Sequence, residues 1–221
     1  SNTSLNVLSN VCKITNSSLN FVELDLKNSI KTKEFISNNN DIDGVIHFAA
    51  SKAVGESVED PLKYYNNNLS SMINLLKELI KLNRQINFIF SSSATVYGKP
   101  INLPITEFEP IKKAESPYGN TKQIGEEIIR DLVISNSNFK AISLRYFNPI
   151  GAHSSSLIGE LPIGVPQNLV PYITQTAIGI RKELTVFGNN YSTNDGSCIR
   201  DYIHVVCLLY TSDAADERHC V

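Results

Sequence analysis

Tyr118 and Lys122 are the residues of this chain whose types and spacing best suit catalysis, together with Ser93 at the end of a serine cluster. Side chains four residues apart on a helix lie on one face. A free tyrosine ionises near pH ~10, so a tyrosine base that works near neutrality needs its pKa lowered by about three units, or about 4 kcal/mol. A neighbouring lysine cation acts in that direction. The three residues therefore predict a catalytic centre with Tyr118 as the base.

Two elements must position these side chains. The apolar run Ile86–Phe90 is typical of a strand buried on both faces of a parallel sheet, and ligands bind where such strands end, which places Ser93 at a binding edge. Ser116 is a good N-cap and Pro117 a good first residue for the helix that carries Tyr118. The apolar stripe of this helix is expected to face the core and consists of Ile124, Ile128, Ile129, Leu132 and Val133.

Composition excludes several classes of function. The chain has 221 residues, is 42% hydrophobic and carries a formal net charge of -2 without a basic run, which argues against nucleic-acid and membrane-surface partners. No apolar run approaches the roughly 20 residues that span a bilayer, and no secretory leader is evident. The four cysteines lack metal-ligand or redox spacing, so no metal site is expected. We expect these cysteines to be reduced thiols in a cytoplasmic protein.

Three sequence motifs identify a family resemblance. Ser91–Gly98 reads SSSATVYG, Ser116–Lys122 reads SPYGNTK, and Gly44–Ser57 contains the run HFAASKAVGES. These motifs resemble the extended short-chain dehydrogenases/reductases, and within them most closely the UDP-glucose 4-epimerase family. The resemblance covers Phe21–Val205. It implies NAD-dependent interconversion of UDP-galactose and UDP-glucose through transient oxidation at C4, in a homodimer whose interface is formed by two helices, the one bearing Tyr118 and the one that begins at Pro61.

The fold class implied is α/β, with a Rossmann-like doubly wound parallel sheet that lacks its first β-α unit and part of a smaller substrate-binding region. The segment Ser1–Asn20 contains no glycine and so no phosphate-cradling turn. Either the first unit is missing or the chain does not bind nucleotides, and the motifs favour the former. We expect a partial NAD-binding domain over residues 1–150, a partial sugar-nucleotide region over 151–205, and a tail of foreign origin over 206–221.

Further elements are predicted along the chain. Strands are expected at Leu19–Leu26, Ala141–Phe147 and Leu184–Gly188, with a strand from Gly44 that contains His47 as a core residue. Helices are expected near Ile30–Ser37, from Pro61 to about Asn83, and after Asn168-Leu169.

The resemblance also implies roles for individual residues beyond the catalytic trio Ser93, Tyr118 and Lys122. It implies that Asp25 and Leu26 lie against the adenine and that Phe147 lies on the nicotinamide side. The full set of implied cofactor contacts is Asp25, Leu26, Phe48, Ala49, Ala50, Ser51, Lys52, Asn67, Ser93, Tyr118, Lys122 and Phe147. Sugar-nucleotide contacts are implied for Ser93, Tyr118, Asn148, Asn168, Leu169, Thr185, Val186, Phe187 and Arg200.

Two of these positions have a structural alternative. Arg200 suits the diphosphate because a guanidinium binds phosphate oxygens in a bidentate way, but a structural pair with Asp201 is the competing interpretation. Asp25 could equally be a solvated strand end.

Three alternative functions remain open at the level of sequence. A sugar-nucleotide 4,6-dehydratase would carry Thr-Asp-Glu where this chain has Ser93-Ala94-Thr95, so its acid and base are missing. A catalytically inactive nucleotide-binding fragment is the second alternative. The third is another sugar-nucleotide epimerase, such as one for N-acetylated sugars. The choice between NAD and NADP also stays open, because the acidic residue that contacts the ribose follows the absent second strand.

Overall fold

The computed structural model describes residues 5–162 and 164–210 and divides the chain into two units. The larger unit is Val22–Tyr146, and the smaller unit combines Ser1–Phe21 with Phe147–Val221. The expected domain limits at 150 and 205 remain predictions. Of the expected tail, residues 206–210 are helical and residues 211–221 lie outside the described part of the chain.

The larger unit contains a three-stranded parallel sheet in the order β1-β2-β3. The strands are β1 (Gly44–His47), β2 (Ile86–Ser93) and β3 (Phe139–Tyr146). Both neighbours pair with β2 in parallel. The prediction for the Ile86 run is therefore confirmed as a central parallel strand, which continues to Ser93. The expected burial on both faces is wrong in part, because Asn87 is exposed.

Helices follow each strand or precede the next one. In the larger unit they are α2 (Ser29–Asn38), α3 (Val54–Glu59), α4 (Pro61–Tyr65), α5 (Ser71–Leu79) and α6 (Pro117–Ser135). A π-helical turn at Asn66–Ser70 joins α4 to α5, a 3-10 turn at Ile80–Leu82 follows α5, and another at Ala94–Tyr97 follows β2. The helix predicted from Pro61 is confirmed, but its pitch changes at the three consecutive asparagines, which are poor helix formers.

The apolar core of the larger unit lies between the sheet and its helices. Its buried members are Ile36, Met72, Leu75, Leu76, Leu79, Ile86, Phe88, Phe90, Ile129 and Phe139. From the stripe predicted on α6, Ile129 is buried and Ile128 and Leu132 pack against this cluster. Val133 is exposed, so its prediction is wrong. Gly125 on the same helix is buried. A Cβ at this position would lie only 2.7 Å from Cζ of Phe90, so the close packing here requires glycine.

The smaller unit contains short elements. Helix α1 (Asn6–Thr15), which the sequence did not predict, lies in the glycine-free first segment. Strands β4 (Asn148–Ile150) and β5 (Tyr202–His204) pair in parallel, and helix α7 (Leu169–Ala177) begins where the sequence predicted a short helix.

Two predicted strands are absent from the described residues. Residues 19–26 and 184–188 are extended or turn segments without sheet hydrogen bonds. Val22 and Val186 are 57% and 75% exposed, respectively. A strand needs a hydrogen-bonded neighbour as well as β propensity. Among the described residues, no strand lies beside residues 19–26 to provide such a neighbour.

A membrane-spanning helix would have to be both long and strongly apolar, and none of the helices within the described residues meets these requirements.

Candidate active site

Ser93 is the last residue of β2, and its main chain pairs with that of Tyr146 on β3. The side chain is buried, and its Oγ accepts a hydrogen bond of 3.3 Å from the Thr95 backbone N–H. This contact caps the 3-10 turn that leaves the strand. The hydroxyl of Ser93 is therefore fixed at the carboxyl edge of a parallel sheet, where ligands bind in this architecture.

Helix α6 presents Tyr118 and Lys122 from one face. Ser116 is its N-cap and accepts a 3.1 Å hydrogen bond from the Gly119 N–H, and Pro117 is the first helical residue. The predicted capping is thus confirmed, and it determines where the helix begins relative to Tyr118. Since Lys122 is one turn further along, both side chains are carried to the same side of the helix.

Lys122 is a buried cation. Its side chain is 5% exposed, and its Nζ donates a 2.6 Å hydrogen bond to the Ser91 carbonyl oxygen. The same Nζ lies 5.0 Å from the ring centroid of Phe90 and 5.8 Å from that of Tyr118. Burial lowers the pKa of Lys122 from its ordinary 10.5 to about 8, because the ammonium loses hydration.

The pKa of Tyr118 is shifted in the direction opposite to the prediction. Burial raises this pKa, and a hydrogen bond with the Ser93 hydroxyl acts in the lowering direction without overcoming it. The expected effect of Lys122 is not seen, since its Nζ binds Ser91 on the adjoining strand rather than the phenol oxygen. The structure nevertheless brings together the three predicted catalytic groups.

The segment after β1 contains five of the predicted cofactor residues, Phe48, Ala49, Ala50, Ser51 and Lys52, and reaches the helix bearing Asn67. Asn67 donates a 3.1 Å hydrogen bond to the Ser51 hydroxyl. The neighbouring Asn68, which the sequence did not single out, accepts from the Ser51 N–H at 2.8 Å and donates to the Ser51 carbonyl oxygen at 3.0 Å. Asn68 also donates to the Thr121 hydroxyl on α6 at 3.1 Å. The π-helical turn thereby connects the predicted cofactor segment to the helix of Tyr118.

Asp25 and Leu26 lie in the larger unit at the turn before α2. Asp25 accepts a 3.0 Å hydrogen bond from the Lys27 N–H, and the Leu26 carbonyl oxygen accepts one of 3.0 Å from the Asn74 side chain on α5. Their predicted adenine contacts stay predictions. Asp25 stabilises a turn here, and the strand expected before it does not form.

His47 was expected to be a core histidine, and this is confirmed. Its ring stacks on Phe88 and Phe90 with centroid distances of 5.8 and 6.2 Å. Burial, with a smaller effect of the Lys122 charge, lowers the pKa of His47 from 6.5 to about 4. His47 is therefore neutral near pH 7.

The predicted sugar-nucleotide residues outside the catalytic trio all lie in the smaller unit, as does Phe147. Asn148 begins β4 and donates a 2.7 Å hydrogen bond to the Asp201 carbonyl oxygen. Arg200 donates to the Ile199 carbonyl oxygen at 2.8 Å, and no ion pair with Asp201 occurs among the described residues. Strand pairing places Asn148 opposite Tyr202, which is two residues after Arg200.

The other members of this set are more dispersed within the smaller unit. Asn168 precedes α7 and donates to Glu160, and Leu169 is the first residue of that helix. Thr185, Val186 and Phe187 belong to an exposed segment, in which Phe187 is 86% exposed. Their roles in substrate binding remain predictions.

Thr95 is a second position that the sequence did not assign a role. Among the described residues, its Oγ1 is the only buried side-chain nitrogen or oxygen atom that lacks a hydrogen-bond partner. Such atoms are rare in folded proteins. It lies two residues after Ser93, next to the site.

Comparison with known proteins identifies the family. A family model described as GDP-mannose 4,6 dehydratase matches residues 1–220. The chain is 50% identical over 208 residues to a UDP-glucose 4-epimerase of Dictyostelium discoideum, covering 94% of this chain and 60% of that protein. It is 53% identical over 190 residues to UDP-glucose 4-epimerase 2 of Arabidopsis thaliana, covering 86% of this chain and 53% of that protein.

A solved structure is similar over nearly the whole chain. The UDP-glucose 4-epimerase of Bifidobacterium longum, crystallised in complex with NAD+ and UDP, is 46% identical and superimposes with a TM-score of 0.92. The match covers 98% of this chain and 64% of that one, so the chain spans less than two thirds of the length of each of these relatives. The Rossmann-like α/β class is confirmed by this likeness. The chain therefore belongs to the extended short-chain dehydrogenase/reductase family that the GDP-mannose 4,6 dehydratase model describes, and its similarity within that family is to the UDP-glucose 4-epimerases.

Proposed function

We propose that this chain provides the catalytic residues and part of the substrate site of an NAD-dependent UDP-glucose 4-epimerase, which interconverts UDP-galactose and UDP-glucose. The observation that carries the proposal is the convergence of Ser93, Tyr118 and Lys122 at the carboxyl end of β2, where the Lys122 Nζ lies 5.8 Å from the ring centroid of Tyr118 and binds the Ser91 carbonyl oxygen. The high identity to UDP-glucose 4-epimerases supports the choice of substrate.

The residues present fit part of a dinucleotide. Ala49 and Ala50, just after β1, have short side chains that allow close approach of a cofactor at the strand's carboxyl end. An ammonium has three donors, and the described contacts of Lys122 use one for the Ser91 carbonyl oxygen, which leaves donors for ribose hydroxyls. NAD, when bound, would accept and return the hydride of the sugar C4 and would bring a positive charge that favours the Tyr118 phenolate.

The chain's own residues handle the proton. Tyr118, as phenolate, removes the proton from the sugar 4-hydroxyl as C4 loses its hydride, which leaves a 4-keto sugar. After the ketone turns over, C4 regains hydride on its other face and Tyr118 returns the proton, so no oxidant is consumed. Ser93 donates a hydrogen bond to the reacting oxygen, and the donors that Lys122 has left would hold the ribose of the bound cofactor.

The family description raises the possibility of 4,6-dehydration, and the residues do not favour it. That reaction needs an acid and a base for loss of water, at the positions that Ala94 and Thr95 occupy. A methyl group and an alcohol are poor proton-transfer groups near neutral pH. The proposal is therefore epimerisation.

The test is to express the complete reading frame and incubate the protein with UDP-galactose and, separately, UDP-N-acetylgalactosamine, with chromatography of the products. UDP-glucose formed without net NADH is the expected result. Conversion of only the N-acetylated sugar would move the proposal to that substrate, a 4-keto-6-deoxy product would move it to dehydration, and no product at all would favour a nucleotide-binding role.

A homodimer and a cytoplasmic location complete the proposal. A groove along α5 and α6 supports the predicted interface, and it is lined by Ile73, Leu76, Lys77, Ile80, Ile128, Asp131, Leu132 and Ser135. Cys12 and Cys198 are free thiols, which fits a reducing compartment. Size-exclusion chromatography with light scattering on the complete protein tests the dimer.

A further inference from the structure

Glu126 is a buried carboxylate on the catalytic helix that the proposed reaction does not use. It is 5% exposed. The Arg145 guanidinium of β3 contacts it with two parallel hydrogen bonds, Nε to Oε1 at 2.9 Å and Nη2 to Oε2 at 2.7 Å. A two-point contact of this kind fixes orientation as well as distance.

The same carboxylate also contacts the strand that ends at Ser93. The Ser92 hydroxyl donates a 2.5 Å hydrogen bond to Oε1 of Glu126. Ser92 and Arg145 are opposite each other in the parallel register of β2 and β3. Glu126 therefore connects α6 to both strands at the residue immediately before Ser93.

Arg145 extends this connection to the turn after Ser93. Its guanidinium carbon lies 4.8 Å from the ring centroid of Tyr97, which is buried at the end of the 3-10 turn. Cationic stacking of this kind favours a fixed ring position. The residues on both sides of Ser93 are thus attached to one ion pair.

On α6 the carboxylate has a regular relation to the catalytic residues. Glu126 is four residues after Lys122 and eight after Tyr118, so the three side chains follow one face of the helix. A buried ion pair contributes little to stability by itself, since an apolar replacement is often as stable. Its forked geometry can instead hold the helix in one position along the sheet.

We propose that the Glu126–Arg145 ion pair is a positioning device that keeps Ser93 within reach of Tyr118 and Lys122. Glu126 and Arg145 act through these three residues and touch neither sugar nor cofactor. The inference rests on the proposed function for its kinetic consequence, whereas its structural consequence can be tested without activity.

The test compares Glu126→Gln with Glu127→Gln in the protein expressed from the complete reading frame. Glutamine keeps the shape of the side chain and removes its charge, and Glu127 is an exposed residue on the same helix. Hydrogen exchange followed by mass spectrometry is measured for residues 91–97. Turnover of UDP-galactose is measured per folded molecule, with folding determined by circular dichroism.

Glu126→Gln is expected to increase exchange in residues 91–97 and to lower kcat per folded molecule by about 10- to 100-fold, with KM changed less than about threefold, because the reacting groups are misplaced. A purely structural role would lower the folded fraction and leave kcat per folded molecule unchanged. Exchange and kcat equal to those of Glu127→Gln would overturn the proposal.

Arg145→Lys provides a second variant if Glu126→Gln does not fold. Lysine keeps the charge and loses the two-point contact, so the same changes are expected at smaller amplitude. Unchanged exchange and kcat in that variant would equally overturn the inference. If the unmodified protein lacks epimerase activity, the proposed function fails. The hydrogen-exchange experiment still tests whether the Glu126–Arg145 ion pair positions residues 91–97.

Discussion

The two halves of strand β2 contrast in what they contribute. Ile86, Phe88 and Phe90 in the first half are buried within the apolar core. Ser91, Ser92 and Ser93 in the second half have polar side chains at the site, and the Lys122 cation binds there. One strand therefore combines a stabilising apolar half with a polar half that buries charge. Stability and chemistry should respond separately to substitutions in the two halves.

The largest expected effect is on the chemistry, from Tyr118→Phe. Loss of the phenol oxygen removes the proposed base, so turnover should fall by about 10²- to 10⁴-fold. The free energy of unfolding should change by about 1 kcal/mol or less, the usual size for one hydrogen bond. Steady-state kinetics and urea denaturation measure the two quantities, and Tyr191→Phe, at an exposed tyrosine, is the control. Retained turnover would remove Tyr118 from the proposed mechanism.

The second prediction concerns the apolar half. Phe88→Ala should lower the free energy of unfolding by about 3–5 kcal/mol, because it leaves a cavity among packed rings. Phe88 is 1% exposed, and its ring lies 5.6 Å from that of Phe139. Chemical denaturation of this variant and of Phe108→Ala, at a residue that is 94% exposed, gives the comparison. Equal stability of the two variants would contradict the assigned core.

The third prediction is a pH dependence that comes from His47. Its pKa is lowered from 6.5 to about 4 in the folded chain, so between these values the unfolded chain binds a proton that the folded chain does not. The contribution of neutral His47 to the free energy of unfolding is therefore complete above pH 6.5, and it is lost as the pH falls toward 4.

Denaturation at pH 7 and at pH 4 measures this loss. His47 should account for about 3 kcal/mol of it, which His47→Phe should abolish while keeping the stacked rings. An unchanged pH dependence in His47→Phe would show that another group is responsible.

The elements around the site could be predicted from sequence because their signals are local. The apolar run before Ser91 and the Ser116-Pro117 cap determine β2 and the start of α6, and these two elements position the catalytic trio. The strands expected at 19–26 and 184–188 fail because pairing depends on a neighbour that the local pattern does not contain.

The contacts between distant residues could not be predicted in the same way. Asn68 contacts Ser51 and Thr121, and Glu126 contacts Ser92 and Arg145, across separations of 17 to 53 residues. The direction of the Tyr118 pKa shift was wrong for a related reason. Spacing along a helix indicates that Lys122 is near, but not that its Nζ binds Ser91 or how far burial removes solvent from the phenol.

The measurement that most directly tests the separation of stability from chemistry is the paired determination of unfolding free energy and turnover for Lys122→Met, with exposed Lys33→Met as control. Because burial lowers the pKa of Lys122 to about 8, the folded chain holds this cation at a cost near pH 7. Lys122→Met removes this cost but also removes the hydrogen bond to Ser91. The net result should be a protein that is more stable by about 1–2 kcal/mol at pH 7 and has no turnover. Lower stability together with retained turnover would contradict the account.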